Sequence, residues 1–116
     1  MAFSEIEAAR VKKAIDAFMQ ERRPPAHIRS KLDFGTRIKG QSVELFEVRP
    51  KWRGNPGETM ESPVAKTTYV RTRGVWRVFW MRRDLKWHGY EPMPEVASID
   101  AFFKLVSEDA YCCFFG

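Results

Sequence analysis

The chain has 116 residues, of which 44% are hydrophobic and 14% aromatic, enough for one hydrophobic core and too apolar for a wholly disordered chain. No apolar run approaches the roughly 20 residues of a membrane-spanning helix, and Met1 to Glu5 lack the pattern of a secretion signal. The adjacent cysteines, Cys112 and Cys113, cannot cross-link a small secreted fold. We therefore expect one domain over residues 1–116, located in the cytoplasm, with no membrane partner.

The net charge of +5 is unevenly distributed along the chain. Residues 10–86 hold 19 basic and 8 acidic side chains, whereas both ends carry net negative charge. A basic middle favours a polyanion as partner, or head-to-tail contact between copies of the chain. The alternative interpretation is that the solvated faces simply differ in charge.

An amphipathic helix is predicted near the N-terminus. Ser4 and Glu7 have the spacing of a capping box, in which each side chain accepts the other residue's free backbone N–H. Apolar residues then recur at steps of three and four: Val11, Ala14, Ile15, Phe18 and Met19. Proline lacks the N–H that a continuing helix needs, so Pro24-Pro25 ends the helix.

Two alternating stretches, Leu32 to Lys39 and Ser42 to Arg49, predict a β-hairpin. A two-residue loop at Lys39-Gly40 places the apolar residues of the first strand beside the odd-numbered apolar residues of the second. A three-residue loop places them beside the even-numbered ones. Each register buries five apolar residues, so the apolar pattern leaves both alternatives open.

A second hairpin is predicted from Val64 to Thr72 and Val75 to Arg82, after a long loop from Pro50 to Pro63 that carries Trp52. In Val75 to Met81 both faces are mainly apolar. Such a strand lies centrally in its sheet or presents one face to an interface.

The remaining segments complete an α+β pattern. A short fifth strand around Trp87 to Tyr90 is a further candidate, and Ser98 caps a second amphipathic helix. The apolar tail from Tyr111 is expected to dock on the sheet. The order of these elements along the chain, helix, two hairpins and helix, predicts an antiparallel sheet of two β-hairpins packed by an N-terminal and a C-terminal helix.

Long blocks of the sequence resemble a known family. The blocks are Ile28-Arg29, Leu32-Asp33-Phe34-Gly35, Gly40-Gln41-Ser42-Val43-Glu44, Phe46 to Pro50, Ser62 to Lys66, Trp76, Val78, Trp80 to Arg82, Asp84 to His88, Tyr90-Glu91-Pro92 and Cys113 to Gly116. They are similar to the bacterial domain-of-unknown-function family 3024, which consists of small uncharacterised proteins. The resemblance covers nearly the whole chain. It implies a stand-alone cytoplasmic protein and carries over no catalytic residue.

One candidate for chemistry is an acidic and basic cluster formed by Asp33, Glu47 and Arg49. Some metal-dependent nucleases hold Mg²⁺ with carboxylates on adjacent strands, and the metal activates water. Only the three-residue loop sets Asp33 opposite Glu47. Arg49 stands where a lysine is usual and cannot act as a base. The alternative interpretation is a set of surface charges on a hairpin.

A second candidate is a surface on which basic residues alternate with aromatic ones. Charges can follow phosphates while rings stack on bases, which is how single-stranded nucleic acid is bound without sequence readout. The alternative interpretation is that the rings close one edge of the core and the charges face water. The residues are Trp52, Arg53, Arg82, Arg83, Lys86, Trp87, His88 and Tyr90.

Other chemistry finds little support in the sequence. Zinc or thiol chemistry at Cys112, Cys113, His88 and His27 is disfavoured because adjacent cysteines reach one ion poorly. We expect no cofactor and no bound metal. The leading interpretation is a non-enzymatic binding or interaction module, with a homo-oligomer as the simplest partnership. The alternatives are a metal-dependent nuclease-like hydrolase and a binder of single-stranded nucleic acid.

Overall fold

A computed structural model describes residues 2–51 and 53–109. The helices are α1 (Glu5–Arg22) and α2 (Ile99–Glu108), and the strands are β1 (Asp33–Lys39), β2 (Ser42–Pro50), β3 (Thr59–Val70), β4 (Val75–Met81), β5 (Trp87–Gly89) and β6 (Glu95–Val96). The predicted α+β class, with an antiparallel sheet and two terminal helices, is confirmed.

Both helices begin as the sequence predicts. At α1, Ser4 Oγ accepts from the Glu7 N–H at 3.2 Å and Glu7 Oε1 accepts from the Ser4 N–H at 2.8 Å, which completes the capping box. At α2, Ser98 Oγ accepts from the Ala101 N–H at 3.1 Å. Each cap satisfies backbone donors that the helix itself leaves unpaired, so each start is fixed locally.

The sheet is an antiparallel meander in the order β1-β2-β3-β4-β5. Strand β4 is interior, because β3 pairs along one edge while β5 and β6 pair along the other, at opposite ends of the strand. The interior position is one of the two alternatives predicted for this doubly apolar strand, and the candidate fifth strand is present as β5. Strand β6 was not, because two residues are too few for an alternating pattern.

The first hairpin corrects both predicted registers. Its loop has two residues, but they are Gly40 and Gln41, and Lys39 pairs with Ser42. Gly40 has φ 57°, and glycine reaches this region without strain, so it occupies the first position of the turn. The odd-numbered residues Val43 and Leu45 face the core and are fully buried. The three-residue loop is therefore wrong.

Strand β3 begins at Thr59, earlier than predicted, so the preceding loop spans only 51–58. Pro63 lies inside the strand, where the register with β2 shifts between Leu45 and Phe46. Strand β4 pairs only with residues 65–70 of β3, so Pro63 has no β4 residue beside it. A proline is tolerated at such an irregular edge because its missing N–H breaks no ladder bond.

The two helices pack on one face of the sheet, and the hydrophobic core lies between the helices and the sheet. Phe18 of α1 stacks on Phe103 of α2 with ring centroids 4.8 Å apart, and Phe18 also meets Phe34 of β1. The buried residues are Val11, Ala14, Phe18, Val43, Leu45, Val64, Ala65, Thr67, Trp76, Val78, Tyr90, Ile99, Phe102, Phe103 and Val106. The other side of the sheet, which neither helix covers, is called the open face below.

Ion pairs tie the helical layer to the strands. Arg71, after β3, pairs with Glu7 at 2.6 Å, and Arg23, after α1, pairs with Asp33 at 2.8 Å. The hydrogen bond from Arg71, with a further one from the Ser4 N–H, lowers the pKa of Glu7 from 4.5 to about 2. The pairing with Arg23 likewise lowers the pKa of Asp33.

Candidate functional site

Alternate residues of β4 point to the open face. Trp76 and Val78 are buried in the core, so Val75, Arg77, Phe79 and Met81 project to the other side. The register brings neighbours from both flanking strands to the same side. Lys66 of β3 lies opposite Phe79, and Trp87 of β5 lies opposite Met81. Basic and aromatic side chains thus meet on one exposed sheet surface.

The basic groups on the open face lie over the aromatic rings. Lys66 Nζ is 5.6 Å from the centroid of Phe79 and 5.9 Å from that of Trp87. The Arg77 guanidinium is 5.2 Å from the Phe79 centroid. Such contacts are worth about 0.5–1 kcal/mol at exposed sites, so the cations are held weakly and can move away.

Five cations of this region make no ion pair within 4.0 Å with any residue that the structure describes. Elsewhere on the sheet and its loops, Arg23, Arg37, Arg49, Arg71 and Arg73 face a carboxylate, whereas the exposed Lys12 and Lys13 of α1 likewise make no ion pair with a described residue. Of the five, Arg82 lies on the helix-covered side, 5.5 Å from the Trp80 centroid, and its charge acts on Asp84. The other four, with two rings of the open face, are called the cation–aromatic surface: Lys66, Arg77, Arg83, Lys86, Phe79 and Trp87. Positive charge without a carboxylate partner in the described chain is available to an anion.

The loop that joins β4 to β5 is shaped by Asp84. Its Oδ1 accepts from the Lys86 N–H at 3.0 Å, and its Oδ2 lies 2.8 Å from Nε2 of His88. The hydrogen bond with His88 lowers the pKa of Asp84, which therefore stays ionised. Leu85 adopts a φ of 61°, and its N–H donates to the Arg82 carbonyl at 2.9 Å. The loop thus presents its three basic side chains, Arg82, Arg83 and Lys86, in a defined turn.

His88 lies on the other side of β5 from Trp87, opposite Trp80. It lines a cleft of about 540 Å³, together with Trp80, Arg82, Gly89, Tyr90, Glu91, Pro92 and Pro94. Tyr90 is only 1% exposed and belongs to the core, so its ring is not offered at the surface as the sequence-based surface required. The predicted surface is thus divided between two sides of the sheet.

The loop between β2 and β3 holds the two other members of the predicted basic and aromatic surface. Arg53 is exposed there. Trp52 lies outside the described residues.

Asp33, Glu47 and Arg49 do not form the arrangement that a metal site needs. Asp33 pairs with Val48 and Glu47 with Phe34, so the two carboxylates project to opposite faces. Asp33 is held by Arg23, and Glu47 accepts from Arg49 Nε at 2.9 Å. In the described part of the chain, no three His, Cys, Asp or Glu side chains gather as a metal site. Cys112 and Cys113 lie outside that part.

Three members of the cation–aromatic surface, Lys66, Arg77 and Phe79, were missed by the sequence-based candidates. The signal for Arg77 and Phe79 was present in Val75 to Met81, where a cation and a ring occupy alternate positions of one face, whereas Lys66 lies on β3 and joins them only through the register. The sequence does not show which face of the sheet the two helices cover. Without that information, these alternate residues of β4 could equally well belong to the hydrophobic core.

Comparison with known proteins adds the family and nothing about activity. None of the helices among the described residues is long and apolar enough to cross a membrane. No curated protein and no solved structure matches the chain. The family model that does match spans residues 3–116, and the chain therefore belongs to the family described as a domain of unknown function, DUF3024.

Proposed function

We propose that this chain is a non-enzymatic binding module whose cation–aromatic surface binds single-stranded nucleic acid. The observation that carries the proposal is the set of four cations of this surface without an ion-pair partner among the described residues, two of which, Lys66 and Arg77, lie beside Phe79 and Trp87. Phosphates supply the negative charge that these cations lack, and bases supply planar groups that stack on the rings.

Binding by this surface exchanges one set of contacts for another. In the free protein, Lys66 lies over Phe79 and Trp87. A base that stacks on either ring takes the place of the ammonium group, which then moves to a phosphate of the same strand. Each stacked base contributes about 1–3 kcal/mol, more than an exposed cation–aromatic contact, so the exchange is favourable.

The surface favours single strands over duplexes. Its rings lie on a sheet, and a ring on a sheet can stack only on a base whose face is free. In a duplex each base face is covered by its neighbours, which leaves only the phosphates to contact. Duplex binding therefore retains the charge contribution and loses the stacking contribution.

A second copy of the chain is the alternative occupant of the open face. The strongly exposed apolar side chains argue against it, because those described are Ile6, Ile28, Ile38, Met60, Leu85 and Met93. They lie on α1, in loops or on the core-facing side of β1 and β3; Leu85 is in the loop between β4 and β5, and none lies on an open-face position of a strand. The open face is rich in charge instead, which suits a polyanion better than a copy of itself.

Fluorescence anisotropy with a labelled oligothymidylate of roughly 12 nucleotides tests the proposal. We expect saturable binding that weakens with salt and is tighter than binding of a duplex of the same length. Phe79→Leu and Trp87→Leu keep apolar bulk and remove the stacking face. Each is expected to weaken single-strand binding about fivefold or more and to leave duplex binding nearly unchanged.

Three results would count against nucleic-acid binding. The first is no binding at low salt, and the second is an affinity that does not change with salt. The third is an equal loss of duplex and single-strand binding in the Phe79→Leu and Trp87→Leu variants. Light scattering on the same sample gives the oligomeric state. A dimer that Phe79→Leu and Trp87→Leu dissociate would favour the second copy instead.

A further inference from the structure

A small groove opens on the same face of the sheet, next to the cation–aromatic surface. Trp87 belongs to both. The groove has a volume of about 150 Å³, and its lining comprises Arg37, Glu44, Leu45, Phe46, Glu61, Pro63 and Trp87. This is below the roughly 300 Å³ at which sites for drug-sized ligands begin, so it suits a single planar ring system. The aromatic and proline walls suit the flat faces of a nucleobase, and the charged edges suit its hydrogen-bonding edge.

Glu44 is the unusual member of this lining. Its side chain is only 17% exposed, and its nearest cation, Arg37 Nη1, is 4.0 Å away. No residue that the structure describes donates a hydrogen bond to its carboxylate. Its oxygens are not buried, so the groove holds an acceptor that the free protein leaves to solvent and that a ligand with N–H groups can meet.

Arg37 makes only a long ion pair with Glu44, without a hydrogen bond, because its other nitrogen is engaged by Glu61. Its Nη2 donates to both carboxylate oxygens of Glu61, each at 2.9 Å, and its guanidinium lies 4.9 Å from the centroid of Phe46. The Phe46 ring in turn lies close over Gly35, where a Cβ would come within 2.5 Å of Cε2. This packed arrangement holds Arg37 against Glu61 and leaves Glu44 open to a ligand.

We infer that the groove accepts one base of the bound strand and that the Glu44 carboxylate selects guanine; this rests on the proposed function. A carboxylate has two acceptor oxygens and no donor, so its best partner offers two adjacent N–H groups. The Watson–Crick edge of guanine carries N1–H next to the 2-amino group. Adenine and cytosine each offer one amino group beside an acceptor nitrogen, and thymine offers one N–H between two carbonyls.

The test uses oligothymidylates of about 12 nucleotides in which one central thymine is replaced by guanine, adenine or hypoxanthine. Hypoxanthine keeps the N1–H and the carbonyl of guanine and lacks only the 2-amino group. We expect the guanine strand to bind about fivefold or more tightly than the adenine and hypoxanthine strands. The comparison needs only the unmodified protein.

The variant Glu44→Gln tests whether the Glu44 carboxylate is the source of the guanine selectivity. The substitution keeps the shape of the side chain and replaces one acceptor oxygen by a donor, so the guanine-to-hypoxanthine ratio should fall to about one. Glu5→Gln is the matched control, since Glu5 is exposed on α1 and its substitution changes the net charge equally. In that control the ratio should stay as in the unmodified protein.

Equal affinity for the guanine, adenine and hypoxanthine strands would overturn the inference and leave the proposed function standing. A guanine preference that survives in Glu44→Gln would overturn the assignment to this residue. Failure of every strand to bind would overturn both the inference and the proposed function.

Discussion

Neutralising two cations of the cation–aromatic surface should reduce the salt dependence of binding by a calculable amount. On a single strand, the slope of log affinity against log salt is about −0.7 for each phosphate neutralised. Four contacts, one for each cation of the surface, give a slope of about −2.8. Lys66→Gln with Arg77→Gln leaves two, for which the slope is about −1.4. Neither residue has an ion pair among those described, so no carboxylate loses its partner.

The assay is the anisotropy titration with oligothymidylate at a series of salt concentrations. Between about 50 and 200 mM salt, the affinity of the unmodified protein should fall about 50-fold and that of the double variant about 7-fold. Lys12→Gln with Lys13→Gln is the matched control, because both lysines are exposed on α1, away from the open face. The reasoning would be refuted if the slope were unchanged in the double variant of the surface, or if it were reduced equally in the Lys12→Gln with Lys13→Gln control.

Two further predictions concern stability. Gly35→Ala should lower the free energy of unfolding by about 1 kcal/mol, because the added Cβ meets the Phe46 ring at 2.5 Å. Gly89→Ala, where a Cβ meets nothing within 4 Å, should change it by less than about 0.5 kcal/mol. Chemical denaturation measures both, and equal effects would contradict the packing described. The second prediction concerns Glu7, whose pKa of about 2 lies below its ordinary 4.5 because of Arg71. A carboxyl with a lowered pKa stabilises the fold fully above its unfolded pKa and loses that contribution as the pH falls toward its folded pKa. Between about pH 5 and pH 2 the unmodified protein should therefore lose more stability than Glu7→Gln; parallel pH profiles would contradict this.

Elements fixed by local chemistry could be predicted from the sequence. The caps at Ser4 and Ser98 lie within three residues of the groups they satisfy, so spacing alone locates both helix starts. The register of the first hairpin could not be predicted, because apolar side chains are buried whether the odd-numbered or the even-numbered residues of β2 face the core. It is decided by the positive φ that Gly40 alone supplies at the turn. The early start of β3 depends on a bulge that lets Pro63 stay in the strand.

The candidate site could be predicted only in part, for a reason of the same kind. Trp87 and the loop cations were identified by composition, since basic and aromatic residues alternate there. Tyr90 was grouped with them because a one-dimensional pattern does not show which side of a strand the helices cover. Glu44 carries no sequence signal at all. Its lack of a hydrogen-bond donor follows from Arg37 being held by Glu61, a contact between residues 24 positions apart.

The most direct test of the central claim is an NMR titration of the isotope-labelled protein with oligothymidylate. If the open face binds the strand, the resonances that move are those of Lys66, Phe79 and Trp87 and of their neighbours on β3, β4 and β5. Resonances of α1 and α2, on the far side of the sheet, should stay in place. Shifts confined to the helices, or no shifts at saturating oligonucleotide, would contradict the account.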